Sequence, residues 1–80
     1  MDYMKLVIAK VDQIYFDGDA HSVTVPGTDG EMTVLSNHEP FVTTLKPGNI
    51  TVQTETGEEQ TFGITSGVLE VHAGGATIIL

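Results

Sequence analysis

The side chains most able to do chemistry in this sequence are three histidines, because imidazole binds metal ions and transfers protons near neutral pH. His21, His38 and His72 are isolated along the chain, and no cysteine is present to complete a zinc site. His21 and His72 fall in predicted strands, with their side chains on the outer face, and His38 falls in a predicted turn. The pattern predicts three surface histidines and no metal site.

Several segments resemble catalytic or ligand-binding motifs but lack their essential residues. Asp17-Gly18-Asp19 opens like a calcium-binding loop, yet the position that requires glycine holds Ser22. In residues 63–67 (GITSG) the serine directly precedes the second glycine, whereas a nucleophile elbow needs a residue between them. Residues 27–30 and 74–75 lack the lysine and the helix start of a phosphate-binding loop, and we predict that both are turns. The sequence therefore predicts no catalytic residue, no cofactor-binding residue and no metal ligand.

The composition limits the classes of partner that the chain can bind. Eighty residues form one small domain with a thin core, and the net charge of −8 repels nucleic acid and anionic lipid. The N-terminal apolar run LVIA at residues 6–9 is too short for a signal peptide or a membrane span. We therefore expect an unexported protein without nucleic-acid binding or direct lipid insertion. Its acidity either maintains solubility or indicates a cationic protein partner.

The elements that must position these residues are predicted to be strands. Val, Ile and Thr make up 26 of the 80 residues, and turn signals recur every eight to twelve residues, the first of them at Asp17-Gly18. Apolar and polar residues alternate around Val23 and Val25, Ile50 and Val52, and Leu69 and Val71, as in strands with one buried face. Residues 6–9 and 78–80 are apolar without alternation, which indicates burial on both faces or a contact beyond the chain. The fold class is predicted to be all-β, with no substantial helix.

One series of motifs resembles the signature of the epsilon subunit of the rotary (F-type) ATP synthase. It comprises residues 22–31 (SVTVPGTDGE), His38-x-Pro40 and residues 45–48 (LKPG), with further matches at 16–18 (FDG) and 66–71 (SGVLEV). The similarity extends from about residue 6 to residue 80. It implies one domain over residues 1–80, a flattened two-sheet β-sandwich of about ten strands.

The resemblance also implies a non-catalytic function in the central stalk. In this family the sandwich connects the γ subunit to the ring of membrane subunits and couples proton or sodium flow to ATP synthesis. The domain would lie peripheral to the membrane on its cytoplasmic side, most simply at a bacterial inner membrane. By the same resemblance, the surface that meets the ring comprises Asp29, Gly30 and Glu31, and the surface that meets γ comprises Lys10, His38, Phe41, Val42 and Thr43.

Some features of the sequence depart from the family pattern or leave alternatives open. Thr33 replaces a common glycine, and Ser36-Asn37 and Glu39 replace the usual residues around His38, so the contact loop could differ in shape. Phe41 and Val42 fit ordinary core positions as well as a contact surface. Many members continue into a helical hairpin that inhibits ATP hydrolysis and can bind ATP. Because nothing follows Leu80 here, we expect neither property.

A lipoyl or biotinyl carrier domain is the alternative function, because such domains are also small, acidic and all-β. Their essential feature is a lysine displayed on a tight hairpin. Lys46 is the one lysine in a predicted turn, but it precedes Pro47-Gly48 rather than lying in the usual carrier motif. Mass spectrometry for a covalent lipoyl or biotinyl adduct would distinguish the two functions.

Overall fold

The computed structural model describes residues 3–80, which form eight β-strands and no helix, as the all-β prediction requires. Within these residues no helix is long and apolar enough to cross a membrane. The strands are β1 Met4–Lys10, β2 Gln13–Gly27, β3 Gly30–Leu35, β4 Phe41–Leu45, β5 Gly48–Thr54, β6 Glu59–Ile64, β7 Gly67–His72 and β8 Gly75–Ile79.

The strand order is set by β2, which is 15 residues long and belongs to both layers of a sandwich. Its first half pairs with β1, whereas its second half pairs with β3 on one edge and β5 on the other. The first layer therefore runs β2-β1-β8-β7-β4, and the second runs β3-β2-β5-β6. The predicted sandwich is confirmed. The described residues contain eight strands rather than about ten, and β2 continues unbroken from one layer into the other.

The core lies between the two layers and consists of aliphatic side chains from alternate strand positions. The predicted pairs Val23 and Val25, Ile50 and Val52, and Leu69 and Val71 are all buried. The apolar run in β1 alternates in the structure, because Leu6 and Ile8 are fully buried and the residues between and after them are half-buried. The largest fully buried side chains are Leu6, Ile8, Ile50, Leu69, Ile78, Val23, Val25, Val34 and Val52.

The loops of the sandwich lie at two opposite ends. At the tip end, the β2–β3 turn lies beside the β4–β5 turn, because Gly27 pairs with Leu45 and the amide of Lys46 donates to the carbonyl of Pro26 at 2.9 Å. The β1–β2 and β6–β7 turns lie at this end as well, since Lys10 and Ile64 end their strands there. The far end carries the β3–β4, β5–β6 and β7–β8 connections.

Candidate partner-binding surfaces

The β2–β3 hairpin presents an acidic tip of fixed shape. Gly30 has a φ of 134°, which side chains rarely tolerate, and a Cβ on Gly27 would lie 2.7 Å from the Gly30 carbonyl oxygen. These two glycines hold Asp29 and Glu31 at the surface, where both side chains are exposed. Among residues 3–80 the ion pair present is Lys5 to Asp17, at 3.9 Å. The structure therefore brings Asp29, Gly30 and Glu31 together, with two carboxylates that form no ion pair within residues 3–80.

The outer face of the first layer carries an exposed apolar patch. Ile79 lies directly opposite Val68 on β7, and Val42 on β4 is the diagonal neighbour of Val68. Ala9 on β1 pairs with Ile79 on one side and with Ile14 of β2 on the other, so Ile14 extends the same row of outward side chains. We call these four residues the outer apolar patch, and their exposed fractions are 63% for Ile14, 65% for Val42, 40% for Val68 and 52% for Ile79.

Sequence reasoning named Val42 in this patch and missed the other three residues. A signal for two of them was available, because Val68-Leu69 and Ile78-Ile79 are adjacent apolar pairs in strands. Neighbouring side chains in a strand point to opposite faces, so one member of each pair must face outward. The adjacency does not reveal that Val68 and Ile79 face each other, which follows from the register of β7 and β8.

The residues that the resemblance assigns to the γ contact lie in three separate parts of the domain. Phe41 is half-buried and packs against the core, with its ring centroid 5.1 Å from that of His38. Thr43 shares the inner side of β4 with Phe41, whereas Val42 faces outward. Phe41 therefore contributes to the core and Val42 contributes to the surface. The core alternative therefore holds for Phe41, and the contact proposed for Val42 stays a prediction.

Lys10 lies away from the other residues assigned to γ. It ends β1 at the tip end, whereas His38 and Phe41 lie at the far end of β4, and β8 and β7 separate β1 from β4. Lys10 instead lines an interlayer cleft of about 490 Å³, together with Tyr15, Phe62, Ile64, Ser66 and Leu80. The structure thus places Lys10 at the opposite corner of the first layer from His38.

The three histidines are held by separate local contacts. His21 makes an edge contact with the ring of Tyr3, at a centroid distance of 6.4 Å. His72 hydrogen-bonds through Nε2 to Thr77 Oγ1 at 3.2 Å, and His38 hydrogen-bonds through Nδ1 to the carbonyl of Glu39 at 3.3 Å. Within residues 3–80 there is no group of three or more His, Cys, Asp or Glu placed to hold a metal ion.

Comparison with known proteins identifies the family of the domain. The family model described as "ATP synthase, Delta/Epsilon chain, beta-sandwich domain" matches residues 3–80. The chain is 43% identical over 77 residues to ATP synthase epsilon chain 2 of Burkholderia orbicola, covering 95% of this chain and 51% of that protein. It is 33% identical over 78 residues to the ATP synthase epsilon chain of Sinorhizobium fredii, covering 98% and 58%.

Solved structures share the same fold. A chain in the cryo-EM structure of the Euglena gracilis mitochondrial ATP synthase with its c-ring superposes with a TM-score of 0.91 at 27% identity, covering 99% of this chain and 51% of that chain. A chain from the central stalk and c-ring of the Tetrahymena thermophila mitochondrial ATP synthase superposes with a TM-score of 0.80 at 19% identity, covering 95% and 61%. This likeness shows the fold alone. The chain thus spans between half and three-fifths of the length of these relatives. It belongs to the delta/epsilon chain family of the ATP synthase and forms the β-sandwich domain of that family.

Proposed function

We propose that this domain is a non-catalytic part of the ATP synthase rotor, which links the γ subunit to the ring of c subunits and couples proton or sodium flow to ATP synthesis. The observation that carries the proposal is the family match over residues 3–80. The bacterial relatives support a position peripheral to the energy-transducing membrane, on the cytoplasmic side of a bacterial inner membrane.

The architecture suits a part that transmits torque. Because β2 is hydrogen-bonded in both layers, the layers cannot slide past each other without breaking its ladders with β1 and β5. The fully buried aliphatic core resists the same shear, since close-packed interiors have low compressibility. A rigid block between two partners transmits rotation without a chemical step of its own.

We infer that γ binds the outer apolar patch. Exposed apolar side chains that adjoin on one face mark protein contacts more often than isolated ones do. Val42, Val68 and Ile79 form the centre of this surface. Val42 belongs to the set assigned by resemblance, and His38 and Phe41 lie at the far end of the same layer. Glu70 lies opposite Val42 within it and favours a partner with a basic residue at that point.

Substituting Val42 with Asp should weaken γ binding by at least about tenfold, because it places a charge in the desolvated centre of the contact. Folding should be nearly unaffected, since Val42 is 65% exposed. Leu35→Asp is the matched control, because Leu35 is 49% exposed on the outer face of the other layer. Binding to purified γ, measured by calorimetry, should fall for the first variant and not for the second. Equal losses in both variants would contradict this assignment.

We further propose that the acidic tip of Asp29, Gly30 and Glu31 contacts basic residues in the polar loops of the c-ring. Glu31→Lys should weaken attachment to the ring by roughly fivefold at low salt, about 1 kcal/mol, since exposed ion pairs contribute little each. Glu55→Lys at the far end gives the same change in net charge and should leave attachment intact. The readout is retention of the ring in a pull-down at increasing salt. Retention of the ring by Glu31→Lys at every salt concentration argues against a contact at the tip.

A further inference from the structure

We propose that Thr28 and Thr44 position the acidic tip for its contact with the c-ring. Their side-chain oxygens lie 3.1 Å apart, within hydrogen-bond distance, and either hydroxyl can donate. Thr28 directly precedes Asp29 in the β2–β3 turn, whereas Thr44 belongs to β4. We call these two residues the tip threonine pair. This positioning role depends on the ring contact proposed above.

The end of the β2–β3 hairpin is attached to β4. Among the described residues the pairing of β2 with β5 ends at Thr24. Gly27, three residues further along, pairs with Leu45 of β4. The amide of Thr28 then donates to the carbonyl of Thr44 at 3.1 Å. Because the acidic tip follows directly after these contacts, β4 sets the position of the tip relative to the rest of the domain.

The hydroxyl contact of the tip threonine pair acts on the order of the tip more than on the stability of the domain. Both threonines are exposed, and changes to exposed side chains alter global stability little. Of the described contacts between the hairpin and β4, those of Thr28 are the nearest to Asp29 in the sequence. A loop that is ordered before it binds loses less conformational entropy on binding, and its affinity is higher. The pair therefore supports the ring contact without belonging to the acidic tip itself.

The same strand carries a residue of the surface that we assign to γ. Thr44 is two residues from Val42, and alternate residues of a strand lie on the same face. Thr44 also lies opposite Val68 of the outer apolar patch. The tip threonine pair thus joins the tip that contacts the ring to the strand that contacts γ, on a short path for force between the two partners.

The test uses Thr44→Val, which removes the hydroxyl, keeps a branched side chain suited to a strand and leaves the tip residues unchanged. In the ¹⁵N-labelled 80-residue chain, the heteronuclear NOE of the tip amides should fall while the urea midpoint stays the same. Retention of the ring at low salt should fall about two- to threefold, because one net hydrogen bond contributes little and the backbone bond remains. Binding to γ should not fall, since the added methyl group lies beside Val68.

Two further variants separate the hydroxyl from other effects of the substitution. Thr44→Ser keeps the hydroxyl and should restore both the order of the tip and the retention of the ring. Thr33→Val is the matched control, because Thr33 and Thr24 form a similar pair at 2.9 Å within the same hairpin, away from the tip. It should match the parent chain in both measurements.

A chain without tip carboxylates, Asp29→Asn with Glu31→Gln, separates the positioning role from the ring contact itself. In that background Thr44→Val should cause no further loss of retention, because residues that act through one another are not additive. Loss of retention without the carboxylates but not in Thr44→Val, or an unchanged NOE at the tip, overturns the positioning role and leaves the ring contact standing. Full retention without the carboxylates overturns both. Equal losses in Thr33→Val and Thr44→Val, or a parallel loss of γ binding, indicate a general effect on the fold and also overturn the positioning role.

Discussion

Replacing Ile78 with Ala should lower the free energy of unfolding by about 2–5 kcal/mol, whereas the same change at the adjacent Ile79 should lower it by about 1 kcal/mol or less. The two residues have the same side chain and the same strand, but Ile78 is fully buried and Ile79 is 52% exposed. The comparison therefore isolates the effect of the face on which the side chain lies.

The large effect at Ile78 follows from its neighbours. It lies opposite Leu69 on β7 and Ile8 on β1, and both of these residues are also fully buried. A cavity at this position would remove contacts from three strands of the first layer, and a rigid sandwich can close it only in part. A domain of 80 residues has a total stability of about 4–12 kcal/mol, so the variant should lose a large fraction of it.

Urea denaturation followed by circular dichroism measures the effect, with the midpoint compared at constant slope. Ile78→Val removes one methylene and should cost about 0.5–1.5 kcal/mol, which keeps the comparison measurable if the Ala variant does not fold. Equal losses at positions 78 and 79 would contradict the register of β8. A shift of one residue would exchange the buried and exposed faces of the whole strand.

The sequence predicts the fold well because its signals are local. The alternation of Val23 with Val25, and of Leu69 with Val71, requires nothing beyond the period of a strand, and all four side chains are buried as expected. The number of strands was harder to predict from the sequence. Asp17-Gly18-Asp19 resembles a turn in the sequence, yet it lies inside β2, where Gly18 pairs with Leu6. Tertiary pairing overrode the local turn preference.

The candidate surfaces were predicted less completely because they depend on register and topology. The acidic tip is one hairpin, so Asp29 and Glu31 lie together as near neighbours in the sequence. The outer apolar patch combines β2, β4, β7 and β8, and no local pattern reveals which of their exposed residues adjoin. Lys10 was grouped with His38 by resemblance, but the strand order places it beside the interlayer cleft.

The two adjacent glycines Gly74 and Gly75 are required for two different physical reasons. Both glycines were assigned to a turn. In the structure Gly74 has a φ of 88°, with open space around its Cβ position, which is a requirement of the turn. Gly75 begins β8 and pairs with Lys5. Glycine is required there because the backbones of β8 and β1 approach each other closely. A Cβ on Gly75 would collide with the carbonyl oxygen of Lys5 and lie 2.9 Å from its carbonyl carbon.

Gly75→Ala should therefore destabilise the domain by about 1–3 kcal/mol or more, because backbone atoms of β1 must move to accept one methyl group. The displaced strand is the parallel partner of β8, so the damage extends along the pairing from Lys5 to Ala9. Gly63→Ala is the matched control in another strand, since its Cβ would meet Asn49 Oδ1 at 3.6 Å, an ordinary contact. That variant should remain within about 1 kcal/mol of the parent, because alanine also restricts the unfolded chain.

Thermal unfolding measures both glycine variants, and amide hydrogen exchange locates the damage. Protection should fall first in β1 and β8 of Gly75→Ala, while the β5–β6 pairing in the other layer keeps its protection. A uniform loss across both layers would mean that the alanine destabilises the whole fold rather than the β1–β8 pairing. If Gly75→Ala were as stable as the parent chain, β1 and β8 would have to lie farther apart than the register requires. Ile14 is connected to Ile79 through Ala9 of β1, so a looser β1–β8 pairing would also separate Ile14 from the rest of the outer apolar patch.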